Sequence, residues 1–152
     1  MTYWELLEEA TAYSVKVKEK PLTSHDGLCN GNKIAIRKDI PTLKEKGCVL
    51  AEELGHYHLT VGNTLDLRNE NNVRQERKAR VWAYDKQIGL TGIINSFNHG
   101  CKNYYEMADY LDVTEEFLHD ALDCYKGKYG ERVELDNYIV YFEPSIGVLK
   151  IF

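Results

Sequence analysis

Proline is scarce in this sequence, 3 in 152 residues, and no tract rich in proline or serine interrupts the chain as a linker would. Internal repeats and low-complexity tracts are likewise absent, so one continuous domain over residues 1–152 is expected. No stretch approaches the roughly 20 consecutive apolar residues of a membrane-spanning helix. The opening Met1-Thr2-Tyr3-Trp4-Glu5 is acidic where a signal peptide is basic and then apolar. A soluble cytoplasmic protein, without membrane association, is the expectation. Positive charge is not in excess: Lys+Arg 19 stand against Asp+Glu 24, net −5, so no global basic field exists to hold nucleic acid by counterion release. The four cysteines, Cys29, Cys48, Cys101 and Cys124, form no CxxC pair and no dense framework, and read as reduced, mostly buried thiols.

What remains is an ordinary globular composition, 43% hydrophobic and 28% charged. Tyr3, Leu6, Leu7 and Ala10 recur at helical spacing, and Ser14 to Val17 turns toward an extended segment. Asp26-Gly27 and Asn30-Gly31 flank Leu28-Cys29 ahead of Ile34-Ala35-Ile36, the pattern of a β-hairpin or meander. After Pro41, Thr42 can cap a helix running to about His58 with Leu43, Leu50, Leu54 and Tyr57 on its apolar face. The polar stretch from Thr60 to Asn72 reads as a loop, and Val73 to Leu90 as a second helix with Ala79, Trp82, Ala83 and Ile88 inward. Tyr104–Leu111 and Thr114–Tyr125 read as two short helices, with Thr114 as N-cap, in helix-turn-helix spacing. Val133 to Phe142 and Ile146 to Phe152 alternate as two closing strands. The class is α+β, mostly helical, with a small β-sheet.

The informative stretch is Leu50-Ala51-Glu52-Glu53-Leu54-Gly55-His56-Tyr57-His58. Glu52 and His56 stand one helical turn apart on one face, with Glu53 beside them. This is the layout of H-E-x-x-H with its first His replaced by Glu. In that motif two His at i and i+4 hold zinc while the intervening Glu works on the water that attacks a peptide carbonyl. By position, Glu52 is a first metal ligand, Glu53 the general base and His56 a second ligand. His58 is rotated some 200° from His56 and points away from it. Cys48, one turn before Glu52, can reach the same face only if three successive turns converge on one ion. A third ligand is offered by Glu76, three and seven residues before Ala79 and Ala83, on the inward stripe of the second helix. A carboxylate there needs a partner; a metal and Arg80 at i+4 are both open to it.

These two segments resemble the ImmA/IrrE family of metallo-endopeptidases. Leu50-Ala51-Glu52-Glu53-Leu54-Gly55-His56 stands where that family has A-H-E-L-G-H, and Glu76-x-x-Ala79-x-x-Trp82-Ala83 where it has E-x-x-A-N-x-F-A. The E-E-L-G-H form resembles phage and prophage members. The resemblance implies a zincin-like domain over 1–152, with a metallopeptidase-like core (1–98), a helix-turn-helix-like segment (99–130) and a C-terminal β-hairpin (131–152). It also implies metal ligation by His56 and Glu76, with Glu52 in the place of the first His, and catalysis by Glu53. The role it implies is relief of repression by cleaving a cognate helix-turn-helix repressor; a catalytically inactive relative would bind and antagonise the repressor instead. Zinc accepts carboxylate as well as imidazole. Exchanging one imidazole for a carboxylate lowers the charge of ion plus ligands from +1 to 0, which weakens the Lewis acid and shifts preference toward harder ions such as Mn²⁺.

The helix-turn-helix itself is not expected to bind DNA: residues 112–126 hold five carboxylates against Lys126, a net of −4 that phosphate repels. Residues 68–80 hold Arg68, Arg74, Arg77, Lys78 and Arg80 against Glu70 and Glu76. That stripe reads either as a solvated helix face or as a means of steering an acidic protein segment toward the site.

Overall fold

The computed structural model describes residues 1–59 and 69–152, which fall into two compact units, Met1–Ala83 and Tyr84–Phe152. Residues 60–68, most of the expected polar loop with Arg68 of the basic stripe, lie outside the described residues.

In the first unit, α1 (Tyr3–Ala12) starts at a reciprocal cap in which the Glu5 amide donates to the Thr2 hydroxyl and the Thr2 amide to the Glu5 carboxylate. Three strands follow: β1 (Lys16–Lys20), β2 (Gly27–Asn30) and β3 (Lys33–Arg37), in the order β1-β3-β2. β1 runs parallel to β3, and β2 antiparallel to it through a tight turn in which Gly31 takes φ +59°. Strict alternation in β3 sends Ile34 and Ile36 into the core and turns Lys33 and Ala35 outward. Helix α2 (Leu43–Leu59) repeats the reciprocal cap between Thr42 and Glu45, as the sequence suggests. It packs on α1, β2 and β3 through fully buried Leu50, Ala51 and Leu54, each leucine contributing about 1.5–3 kcal/mol by burial. Leu43, expected on the apolar face, is instead half exposed in the first turn of the helix.

Helix α3 (Asn69–Gln87) begins four residues earlier than Val73 and stops short of Leu90. Gly89 at φ +61° breaks it, and α4 (Gly89–His99) follows, a helix that the sequence reading does not separate. In the second unit the break is fixed by Tyr125, whose hydroxyl accepts from the Gly89 amide at 3.1 Å and donates to the Asp85 carboxylate at 2.9 Å. The helix pair α5 (Tyr104–Leu111) and α6 (Glu115–Tyr129) turns at Asp112, φ +58°, and Thr114 caps α6 as expected, though α6 continues four residues past Tyr125. The first of the two expected closing strands is two: β4 (Arg132–Leu135) and β5 (Tyr138–Tyr141) are separated by a turn at Asp136, φ +54°. With β6 (Gly147–Lys150) they form an antiparallel sheet in chain order. The Asp136-Asn137 turn dipeptide inside an otherwise unbroken alternation is the reason. The α+β class holds. Among the described residues no helix is long and apolar enough to cross a membrane.

Candidate metal centre

Helical phase does the first part of the assembly. One turn apart on α2, Glu52 and His56 face α3, while Glu53, a further 100° round, turns under β2. Contact between the two helices is made where both carry their smallest residues. A Cβ added to Gly55 would lie 2.7 Å from the backbone oxygen of Ala79 and 3.1 Å from its Cα, so only glycine permits the approach. That contact brings Glu76 and Arg80, on either side of Ala79, against His56 and Glu52.

His56 Nε2 lies 3.2 Å from Glu76 Oε1, and Arg80 Nε 3.8 Å from Glu52 Oε1. One ligand atom each of Glu52, His56 and Glu76 falls within 4.8 Å of the others, close enough for one small cation to bridge them after ordinary rotamer adjustment. Burial raises the Glu52 carboxyl above its usual range and the nearby Glu76 adds to this, against the opposing pull of Arg80 and His56. Glu53 is 8% exposed, and its Oε2 has no hydrogen-bond partner among the described residues. Burial first, then the charges of Glu52 and Glu76, push its carboxyl up to about 8. Three carboxylates thus converge with one arginine. An oxygen- and nitrogen-donor set with surplus negative charge fits a divalent cation.

Glu76 is not buried as its place on the inward stripe suggests: its side chain is half exposed, at the end of the stripe whose Ala79 and Ala83 are fully covered. Nor does it take Arg80 as an i+4 partner, since Arg80 reaches across to Glu52. His58 lies outside the cluster, stacked on Trp82 with centroids 5.0 Å apart and edge-on to Tyr13 at 4.7 Å. Cys48 also stands outside it, and none of the four cysteines is disulfide-bonded.

Two contributors escape the sequence reading. Gly27 on β2 is the floor over Glu53: a Cβ there would sit 2.8 Å from Glu53 Cγ and from Val49 Cγ1. On the same face of that strand Cys29 has its thiol pushed up to about 11, mainly by burial and further by the Glu53 charge. A glycine in a strand is the available signal for such close approach, but Asp26-Gly27 reads equally well as a turn.

A sequence model of the IrrE N-terminal-like domain, a metallopeptidase family, matches residues 10–123. No curated protein matches the chain.

Proposed function

The chain belongs to the IrrE N-terminal-like domain family, and from that premise we propose that it is a metal-dependent endopeptidase of phage or mobile-element type, acting in the cytoplasm of its host on a cognate helix-turn-helix repressor. The observation that carries this reading is the convergence of Glu52, His56 and Glu76 next to a buried Glu53 whose Oε2 has no hydrogen-bond partner among the described residues. The first three would hold the ion, zinc or manganese. A bound dication supplies Lewis acidity toward a peptide carbonyl and a water, tempered here by the second carboxylate.

Glu53 does the proton work. Its carboxylate takes a proton from the attacking water as the C–O bond forms and gives it to the amine nitrogen as the C–N bond breaks. Burial strengthens it as a base, and Gly27 packs closely over its stem. Arg80, 3.8 Å away, pulls against the burial that raises the Glu52 carboxyl. Repression ends because the repressor is cut, with no DNA contact by this chain.

A second reading has its own observation. His56 lies 3.2 Å from Glu76, and Arg80 3.8 Å from Glu52, polar neighbours that would equally suit a catalytically inactive relative that sequesters the repressor intact. Incubating the protein with the candidate repressor separates the two. Fragments that disappear with Glu53→Gln support the peptidase; an intact repressor in a stable complex supports the binder.

A further inference from the structure

The face of the N-terminal sheet turned away from α2 has no role in the chemistry above. Alternation along β1 places Lys16, Lys18 and Lys20 on it, about 6.7 Å apart at i, i+2 spacing. Strand register then sets Lys33 directly beside Lys16, and Ala35 between Lys18 and Leu28. These residues line a groove of about 450 Å³ whose apolar part is Leu22, Leu28 and Ala35. No carboxylate among the described residues lines it, and none pairs with the four lysines. The neighbouring Arg37 is by contrast held by Asp26 at 3.0 Å and Asp39 at 3.8 Å.

Like charges side by side on adjacent strands oppose folding. Here they stand on a protein of net charge −5. We propose that this groove is a docking surface for an acidic segment of a protein partner, one that alternates carboxylates with apolar side chains. The carboxylates would meet the lysine rows and the apolar residues the Leu22, Leu28 and Ala35 floor. Charge complementarity selects an anionic occupant, and two features select a peptide among anions. The lining holds no aromatic ring on which a nucleobase can stack. The net negative charge also repels a long polyanion, whereas a short segment senses only charges within about 10 Å. The proposal concerns binding alone and stands whether or not the partner is cleaved.

The test is fluorescence anisotropy of a dye-labelled dodecapeptide alternating Glu and Leu against the full chain, beside a Ser/Leu peptide and a single-stranded oligonucleotide of equal charge. Saturable binding of the Glu/Leu peptide is expected, weakened about tenfold by Lys18→Glu with Lys33→Glu and by raising salt from about 50 to about 300 mM. The neutral pair Lys18→Gln with Lys33→Gln should give a smaller loss at a level or slightly raised thermal midpoint, because these side chains are exposed and pair with no carboxylate among the described residues. No binding, equal binding of the Ser/Leu peptide, indifference to the lysine changes, or tighter binding of the oligonucleotide would each overturn the proposal.

Discussion

Glu53 in the first unit and Tyr125 in the second are both polar side chains driven into the interior, 8% and 1% exposed, and they are treated in opposite ways. Tyr125 has its hydroxyl fully engaged: it accepts from Gly89, donates to Asp85, and so closes the break between α3 and α4. Glu53 is surrounded by its own kind of charge, with one oxygen given no donor among the described residues. Burying a polar group is tolerable when it is hydrogen-bonded and costly when it is not. The satisfied group therefore contributes stability. The unsatisfied one has a cost, as expected of a group kept for chemistry.

The widest separation between the two should appear at Glu53→Gln. Peptide hydrolysis should fall by about 10²–10⁴-fold, while the thermal midpoint measured above pH 8, where Glu53 is ionised, stays level or rises, since a neutral amide is cheaper to bury than a carboxylate. Cleavage and melting measured on one preparation check both halves; full activity would break the comparison. Gly55→Ala should come next. Its new methyl meets the backbone of Ala79, which cannot swing aside, and about 3 kcal/mol of stability should be lost in urea titration. Metal uptake should weaken with it.

Tyr125→Phe should cost about 2 kcal/mol by the same titration, opposite in sign to Glu53→Gln. The smallest effect belongs to Tyr3, whose hydroxyl lies 3.2 Å from Glu19 and is pushed up to about 12 from its ordinary 10.0 by burial and then by the Glu19 charge. The folded state thus keeps this proton after the unfolded chain loses it. The stabilisation is complete below pH 10 and falls away as the pH rises toward 12, by about 1 kcal/mol after allowance for water at the part-buried hydroxyl. Tyr3→Phe should lack that component of alkaline destabilisation in melts between pH 9 and 12.

Local signals were most legible where they act locally. Thr42 and Thr114 cap their helices, and Glu52 and His56 share a helix face because 3.6 residues make a turn. Glu76 could be nominated but not placed: its partner is His56 on another helix, and no spacing within α3 reveals that. Arg80 was visible as a local partner for Glu76 and as a member of the basic stripe, although it reaches Glu52. The break at Ile88-Gly89 was hidden because apolar residues continue through it, and only the hydroxyl of Tyr125, 36 residues away, shows what holds it. The lysine face was hidden for a related reason. Lys16 and Lys33 are neighbours by strand register and not by sequence.

Glu52, His56 and Glu76 are proposed to hold one divalent ion. Elemental analysis of the purified protein beside His56→Ala, each after incubation with zinc or manganese and dialysis, tests it most directly. About one equivalent of metal is expected in the parent, and its loss in the folded variant. A folded parent that takes up neither metal, or a variant that keeps its full equivalent, would contradict it.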